Sequence, residues 1–294
     1  MVQAGCKLVN KTWKDNMNLC SVLPQAIHPR KTQMYHFLRR LIPLPEKTKS
    51  VKVPSEVKSA IIGKLRSIEG RLSNGTASLR CLQSVPLQVS DTLLRACSGK
   101  GTTDVLLVWH IATTILEVRL PTASSSSHSD SNKVVATHLS GYCAYMVAYC
   151  PELLPDDDGW SKDLYKAVRE DVWRALAAGR APASSPKEEC QQLVELLSAD
   201  CRHEVVKNGA KLAEQLVVLV GDEVEKKAWE VLAGFWSEMI LYAAPSENLD
   251  GHAEAIARGG ELITLLWALL THAGIVSRPI TTAAADNRSG SAAV

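Results

Sequence analysis

The sequence lacks the short motifs that identify common metal sites and catalytic centres. It holds eight cysteines, but no two of them form a Cys-x-x-Cys pair, and no histidine pair has zinc-finger spacing. Neither a Gly-x-Ser-x-Gly turn nor a His-Glu-x-x-His helix occurs. Cys143 and Cys150, seven residues apart, are predicted to be core thiols on one helical face. We therefore assign no catalytic, metal-binding or cofactor-binding residue and expect no cofactor.

Two stretches come close to a phosphate loop and a calcium loop but fail at required positions. The Gly99–Lys100 pair is followed by Gly101, where a phosphate loop needs Ser or Thr. When a calcium loop is aligned on Gly159, its first and last ligand positions fall on Leu154 and Tyr165, which offer no carboxylate. The acidic run before the aligned glycine is therefore predicted to be a solvated turn.

No signal peptide or membrane span is recognisable. Residues 1–19 lack the apolar core that a secretory signal requires. The most apolar run, Leu262–Leu270, is about half of the ~20 residues that a helical span needs, and Glu261 and His272 flank it. The sequence thus predicts an intracellular protein that is not secreted, with Leu262–Leu270 as a buried core helix.

Charge is distributed unevenly along a chain whose net charge is only +2. Residues 1–66 hold 13 of the 33 basic residues and 3 of the 31 acidic ones, which leaves 20 basic and 28 acidic residues for the rest of the chain. Such asymmetry is typical of a basic arm that meets phosphate, a membrane or an acidic partner. A solvated, disordered lead-in would give the same pattern, so both interpretations stand. A nucleic-acid partner is not expected for a nearly neutral chain.

Apolar residues recur at steps of three and four along most of the chain, which is the spacing of helical faces. The segment 105–120 is rich in β-branched residues, so a strand is conceivable, but its helical spacing favours a helix. Helices are predicted over residues 54–72, 105–120, 133–150, 161–178, 203–220 and 229–244, and after Pro86, Ser185 and Asp250. The predicted fold class is all-α, a bundle-like soluble domain of about nine or ten helices without a strand pair.

Composition divides the chain into three parts. Residues 1–53 are predicted to be a basic, poorly ordered arm, residues 54–278 an all-helical domain, and residues 279–294 a disordered tail. A polar, serine-rich stretch at 122–131 is predicted to be a surface loop. We place this loop between two helices of one domain, because similar apolar helices stand on both sides.

The stretch from Trp229 to Ile275 is the most regular part of the chain, and we interpret the rest as packing around it. It contains two apolar helices joined at Pro245–Asp250. The first helix ends there because the residue before a proline is disfavoured in the α region. The second is polar at its start and apolar on all sides from Leu262 onward, which predicts the central core helix of the domain.

Several ionisable residues set in these apolar helices form the candidate polar cluster. They are His110, His138, Glu238, His252, Arg258 and Glu261. Buried ionisable groups need partners or shifted pKa values, and such groups can mark a functional site. The alternative is that His110 makes a core contact and that Arg258 forms ordinary same-face pairs with Glu254 and Glu261. If Arg258 instead pairs with Glu261 inside the fold, its removal should destabilise the protein strongly.

Three blocks of sequence occur in an order that resembles a known family. They are block 1, Val108–Thr113 (VWHIAT); block 2, His138–Met146 (HLSGYCAYM) with Pro151–Pro155 (PELLP); and block 3, Trp229–Ile275. Together they resemble plant proteins that contain the domain of unknown function 594, over roughly residues 100–276. The end of block 3 is the most specific part. This chain has Thr114 where the family usually has Asp, so no role for that acid carries over.

In that family the domain usually follows a multi-helix membrane region, the domain of unknown function 4220. We expect this chain to be a shortened relative without those spans, located in the cytoplasm or at the cytosolic face of a membrane. The resemblance implies a juxtamembrane position for the basic residues near its front. Contact with an anionic membrane is therefore predicted through residues 30–52. The candidate contact residues are Arg39, Arg40, Lys47, Lys49 and Lys52.

Three hypotheses about function remain, because the family offers no established activity. The leading one is a non-enzymatic helical interaction domain that binds a protein partner or a membrane surface. The second is a helical enzyme with a pocket near His110, His138 or His252, which requires two of these histidines within hydrogen-bond reach of an acid. The third is a truncated gene product without an independent role.

Overall fold

A computed structural model describes residues 15–23, 48–68, 71–81, 87–120, 127–177, 183–218, 225–275 and 278. Over these residues the chain forms eleven α-helices, one 3-10 helix and two short strands, which confirms the predicted all-α class. The elements in chain order are β1 (Asn16–Leu19), β2 (Lys49–Lys52), α1 (Ser55–Ser67), α2 (Thr76–Arg80), α3 (Leu87–Arg95), α4 (Thr102–Arg119), α5 (Ser127–Tyr149), the 3-10 helix (Pro151–Leu153), α6 (Asp158–Ala177), α7 (Pro186–Ala199), α8 (Glu204–Val218), α9 (Glu225–Ala243), α10 (Leu249–Ala257) and α11 (Leu262–His272).

Helix α4 lies at the centre of the fold. Every residue from Thr102 to Thr113 is buried, because α4 is apolar on all sides and α5, α7 and α8 pack around it. Helix α8 approaches α4 closely at Gly209, where an added Cβ would lie 2.7 Å from the Cβ of Ile111. Only glycine allows this approach without a shift of one helix. Helix α9 packs along α5 and completes the core.

The end of block 3 forms a helical hairpin, α10 and α11, rather than the single helix predicted. The break falls at Gly259 and Gly260, whose φ angles of 111° and 86° lie in the left-handed region that favours glycine. In α11, Leu265 and Leu269 are 40% and 44% exposed, so only one side of the helix is buried. The prediction that Leu262–Leu270 is the central core helix was therefore wrong, and α4 has that place.

A small antiparallel sheet, which the sequence did not predict, covers part of α5. Asn16 of β1 pairs with Lys52 at the far end of β2. Met17 is fully buried, and the backbone N–H of Cys20 donates to the carbonyl of Gly141 at 3.1 Å. Strands of four residues are too short to give a clear alternating pattern, which explains why sequence periodicity missed them.

Two stretches of the predicted arm, residues 15–23 and 48–53, thus pack on the helices and are not part of a disordered lead-in. The rest of that arm and the predicted tail at 279–294 lie outside the described residues. The predicted loop at 122–131 is corrected at its end, because α5 already begins at Ser127. Among the described helices, none is both long enough and apolar enough to cross a membrane.

Candidate functional site

Buried hydrogen bonds join the three sequence blocks at the centre of the fold. Thr113 of block 1 accepts a hydrogen bond at Oγ1 from the indole Nε1 of Trp236 in block 3, at 3.0 Å. His110 of block 1 bonds through Nδ1 with Oγ of Ser140 in block 2, at 2.9 Å. All four side chains are buried, and an unpaired polar group in such a place would cost about 1–3 kcal/mol. The separate blocks therefore form one structural unit.

The His110 imidazole holds the residues after β1 against α4. Ser21 Oγ lies 3.3 Å from Nε2, and the backbone N–H of Val22 donates to the same nitrogen at 3.2 Å. Because an amide can only donate, Nε2 is the unprotonated nitrogen, and Nδ1 carries the proton that it donates to Ser140. Burial lowers the pKa of His110 to about 4. The ring is therefore neutral near pH 7 and is already occupied at both nitrogens.

The hydroxyl of Tyr142 connects α5 to the first turn of α11. It accepts a hydrogen bond from the backbone N–H of Ile263 at 3.0 Å and donates to the Glu261 carboxylate at 3.2 Å. Tyr145 donates to the other carboxylate oxygen at 3.5 Å. Burial raises the pKa of Glu261, and the two tyrosines together with Arg258 offset only part of that increase. Tyr142 thus satisfies one of the free N–H groups at the start of α11.

His252 joins the two helices of the hairpin. Its buried ring stacks on the indole of Trp267 with the centroids 4.2 Å apart, and its Nδ1 lies 3.1 Å from Oγ1 of Thr264. The Trp267 Nε1 in turn donates to the carbonyl of Ser246 at 3.1 Å. Burial lowers the pKa of His252, which favours the neutral ring. This histidine therefore serves the packing of α10 on α11.

Glu238 of α9 receives hydrogen bonds from the start of α2. Ser78 donates from its N–H and its hydroxyl at 2.7 and 2.5 Å, Ala77 donates its N–H at 3.1 Å, and the Ser73 hydroxyl donates as well. Lys64 Nζ lies 3.2 Å away. Burial raises the pKa of Glu238, but these partners outweigh burial and lower the pKa overall. A carboxylate has about four lone-pair directions, so none remains for a substrate.

The last two members of the candidate polar cluster also lie apart. His138 bonds through Nδ1 with the carbonyl of Val134 in its own helix, at 2.8 Å. Arg258 is exposed and forms an ion pair with Glu254 at 3.3 Å, which confirms that same-face pair. Among the described residues, Arg258 has no ion pair with Glu261, so the pairing inside the fold is not found.

The structure therefore scatters the candidate polar cluster over separate places instead of forming one site. No hydrogen bond joins any of its three histidines to a carboxylate within the described part of the chain, so the geometry that the enzyme hypothesis requires is not found there. Of the predicted membrane contacts, Lys49 and Lys52 are exposed on β2. Arg39, Arg40 and Lys47 lie outside the described residues.

A cleft of about 450 Å³ lies between the segment after α5 and the link from α9 to α10. Among the described residues, its ionisable lining consists of Glu152, Asp156, Asp157, Asp158, Glu247 and Arg278. Asn248 joins the two sides, because its Nδ2 donates to the carbonyl of Glu152 at 2.9 Å. Arg278 donates to the carbonyls of Tyr242 and Pro245. The Arg278 guanidinium is thus directed at the backbone, and the other ionisable side chains described in the lining are acidic.

The acidic turn that lines this cleft is only partly solvated, contrary to the prediction. Asp156 accepts the backbone N–H groups of Thr102 and Thr103 at 3.1 and 2.6 Å and so caps the distant helix α4. Asp157 accepts the N–H of Trp160 at 2.7 Å and caps its own helix, α6. Local sequence could suggest the second cap but not the first, whose partners are more than fifty positions away.

The hairpin exposes an apolar surface that sequence reasoning missed. Seven large hydrophobic side chains are exposed among the described residues, and four of them lie on α10 and α11. We call these four the hairpin face: Leu249, Ile256, Leu265 and Leu269. Such a concentration of exposed aliphatic side chains commonly marks an interaction surface. The available signal was their spacing, seven residues apart on α10 and four apart on α11, which places each pair on one stripe.

The cysteines offer no reactive thiol in the core. Cys143 and Cys150 are buried and free, which confirms the prediction for them. Burial raises the pKa of Cys150 to about 12 and the pKa of Cys143 further still, so both stay protonated near pH 7. Over the described part of the chain, no group of three or more His, Cys, Asp or Glu side chains is arranged to hold a metal ion.

These features define a predominantly α-helical protein whose hairpin exposes four large aliphatic side chains. Residues 222–275 match the family model described as protein of unknown function, DUF594. The match covers α9, α10 and α11, and it confirms the resemblance to the domain of unknown function 594 over those residues. No curated protein and no solved structure matches the chain. Plant origin and a companion membrane region stay predictions.

Proposed function

We propose that this protein is a non-enzymatic interaction domain and that the hairpin face binds a partner protein. The observation that supports the proposal is the exposure of Leu249, Ile256, Leu265 and Leu269 on one hairpin, at 65%, 47%, 40% and 44%. Burying apolar surface yields about 25 cal/mol per Å². Exposed aliphatic side chains of this size therefore gain substantially from a partner that covers them.

The attachment of the hairpin supports the same role. Tyr142 caps α11 from α5, and Asn248 at the start of α10 bonds to the backbone of Glu152. Both contacts fix the hairpin on the core before any partner arrives. A surface held in its binding conformation loses less conformational entropy on association.

A protein suits this surface better than an anionic membrane does. Glu247 and Asp250 are exposed beside Leu249, and Glu254 follows one turn later with its charge balanced by Arg258. Acidic residues around an apolar surface are repelled by anionic lipid headgroups. The acidic cleft includes Asn248, the residue before Leu249, and so brings further carboxylates close to this surface.

The test is a pair of matched charge insertions in the full chain. Leu265→Glu with Leu269→Glu places carboxylates on the hairpin face, whereas Val218→Glu places one on α8, at a residue that is 63% exposed. We expect proteins recovered by co-purification and crosslinking with the wild type to be lost with the double variant and retained with the control. Circular dichroism and melting curves must show both variants folded. Recovery that is equal for the three proteins, or absent for all, contradicts the proposal.

A second candidate role is contact with an anionic membrane through residues 30–52. The observation in its favour is the exposure of Lys49 and Lys52 on β2. Flotation with anionic vesicles at low salt tests it, and replacing Arg39 and Arg40 by glutamine should reduce binding. Vesicle binding that is the same for wild type and the Arg39/Arg40 variant would contradict this role. It would not affect the proposal for the hairpin face.

A further inference from the structure

The residues that follow β1 are attached to the helices through His110. We call residues 20–23 the strap. The backbone N–H of Val22 donates to Nε2 of His110 at 3.2 Å, and the N–H of Cys20 donates to the carbonyl of Gly141 on α5 at 3.1 Å. The strap belongs to no helix or strand. It can therefore leave the core without the loss of a secondary-structure element.

The attachment depends on the protonation state of His110. Because an amide N–H can only donate, Nε2 accepts from Val22 in its unprotonated form, while Nδ1 donates its proton to Ser140 at 2.9 Å. A second proton on Nε2 turns that nitrogen into a donor and sets it against the N–H of Val22. Ser21 Oγ, 3.3 Å from Nε2, is an oxygen that can accept from it instead. The two protonation states thus require different positions of the strap.

The elements around His110 bury mainly uncharged titratable groups beside it. On the strap, α5, α6 and α7 these are thiols and phenols, which are neutral below pH 7: Cys20, Tyr142, Cys143, Tyr165 and Cys190. The buried carboxylates of α4 and α6, Asp104 and Asp171, accept backbone N–H groups near the starts of α4 and α8.

The charged groups on these elements interact with one another and not with His110. Glu117 of α4 interacts with Lys133 and His138 of α5, about two turns beyond His110. The titratable side chains of α8 are exposed or half-buried: Glu204, Lys207, Lys211 and Glu214. In the described part of the chain, no charged side chain contributes to the pKa of His110. An imidazolium at this place would therefore lack a counter-charge.

Burial lowers the pKa of His110 from 6.5 to about 4, and the hydrogen bond with Ser140 opposes this shift. When the strap is open, water reaches the ring, so its pKa returns toward 6.5. The closed state is therefore at full stability above pH 6.5, loses stability as pH falls, and reaches a constant lower level below about pH 4. Between these values each unit of pH favours opening about tenfold.

We propose that His110 is a proton-sensitive latch: a proton taken up at Nε2 deprives Val22 of its acceptor, and the strap leaves the core while α4 and α5 stay folded. Opening lets water solvate the imidazolium, which removes the cost of burying an unpaired charge. The strap moves because the other side of the ring is held by Ser140 on α5, which packs on α4 and α9. The open form exposes Val22 and Leu23, both fully buried when closed. This latch is independent of the hairpin face.

Amide hydrogen exchange of the full chain, followed by mass spectrometry near pH 7 and near pH 5, tests the latch. Protection factors correct for the intrinsic effect of pH on exchange. For peptides that contain the strap they should fall about twentyfold between these two values of pH. In α4 and α8 they should change by about twofold or less, because these helices stay closed.

Two histidine variants identify the responsible group. His110→Gln supplies a side-chain oxygen that can accept from Val22 and does not titrate, so its strap should be protected equally near pH 7 and near pH 5. His138→Gln removes an imidazole whose Nδ1 bonds to the carbonyl of Val134 in its own helix, and it should behave as wild type. Circular dichroism confirms that both variants are folded.

Nitrogen-15 NMR of the wild-type ring keeps the test independent of any variant. The nitrogen shifts should show a neutral His110 with its proton on Nδ1 near pH 7 and a titration well below pH 6.5. A ring that becomes charged near pH 6.5 while the strap stays protected contradicts the latch. So does an equal loss of strap protection in wild type and His110→Gln, an unchanged strap near pH 5, or a loss that is equal in every helix.

Discussion

Helix α9 and the α10–α11 hairpin lie in the same family match, yet they use apolar residues in opposite ways. On α9, Trp229, Trp236 and Met239 are fully buried, and the polar Glu238 is surrounded by donors. On the hairpin, Leu265 and Leu269 are 40% and 44% exposed. The first region holds the fold together, whereas the second exposes what a fold normally hides. A match to one family segment therefore covers both a core element and a surface element.

The difference between these regions suggests where function lies. Substitutions in the core half of block 3 should act through stability, because most side chains there are buried in the core. Substitutions on the hairpin face should act through binding, because those side chains have few partners to lose.

The largest expected effect is at Trp236 of α9. Trp236→Ala removes a buried indole and its hydrogen bond to Thr113, so the free energy of unfolding should fall by about 3–5 kcal/mol. Leu265→Ala on the hairpin should change it by about 0.5 kcal/mol or less. Urea unfolding followed by circular dichroism measures both. Trp236→Phe, which loses the hydrogen bond and part of the ring volume, should have an intermediate effect, and similar losses at Trp236 and Leu265 would contradict the division into core and surface.

A smaller effect is expected at Glu238, which ties α2 to α9. Glu238→Gln turns amide N–H groups toward Ser73, Ser78 and Lys64 and should cost about 1–3 kcal/mol at pH 7. The partners of Glu238 lower its pKa in the folded state. Its contribution is therefore present above the unfolded pKa of about 4.3 and is lost as pH falls through the folded pKa.

The free energy of unfolding of wild type and Glu238→Gln, measured across pH, tests the direction of this pKa shift. The gap between wild type and Glu238→Gln should be widest near pH 7 and should narrow in acid. Lys58→Gln, which removes the exposed pair with Asp15, is the control and should show little effect. A gap that widens in acid would contradict the lowered pKa.

A local effect is expected at Tyr142, where the two regions meet. Tyr142→Phe leaves the backbone N–H of Ile263 without its acceptor, so local opening of α11 should become easier by about 1–3 kcal/mol. Hydrogen exchange should quicken in α11 and stay unchanged in α4. Tyr145→Phe loses the 3.5 Å contact with Glu261 and the contacts of its hydroxyl with Cys150 and Asn18, but it leaves the Ile263 N–H bonded to Tyr142, so it serves as the control. Uniform exchange changes over the whole chain would contradict a local tie.

Sequence reasoning recovered the elements with strong helical period, such as α4 and α9, and the start of α7 after Ser185, whose side chain accepts the N–H of Glu188 at 3.2 Å. It failed where long-range packing decides the outcome. A run such as Leu262–Leu270 has the same composition whether one side or all sides are covered. Periodicity predicts the helix, but the exposure of its side chains depends on which other elements pack against it in the fold.

The candidate site was harder to foresee for the same reason. Ionisable residues in apolar helices were predicted to need partners, but the sequence could not say which residues those partners are. His110 meets Ser140 from thirty positions away, and Glu238 meets Ser73 from 165 positions away. The hairpin face had a visible spacing, yet nothing local distinguishes a stripe that faces the core from one that faces solvent.

The smallest expected change is at Glu261, and it should have the opposite sign from Glu238. Burial raises the pKa of Glu261, so the folded state prefers the protonated form. Its favourable contribution is full below the unfolded pKa and is lost as pH rises through the folded pKa. Glu261→Gln keeps an oxygen for Tyr142 and removes the charge, so the variant should melt higher than wild type near pH 7.

This gain should vanish below pH ~4, where wild-type Glu261 is itself neutral. Arg258→Leu is the control, because Arg258 is exposed and paired with Glu254, so its loss should change the unfolding free energy by about 0.5 kcal/mol or less. A strong destabilisation by Arg258→Leu would restore the ion pair with Glu261 inside the fold. If Glu261→Gln raised the melting temperature equally at every pH, the shape of the Glu261 side chain, and not its charge, would be what limits stability at the start of α11. If the stability contributions of Glu238 and Glu261 change with pH in opposite directions, the buried helix α9 and the start of the hairpin helix α11 differ in how they hold a carboxylate.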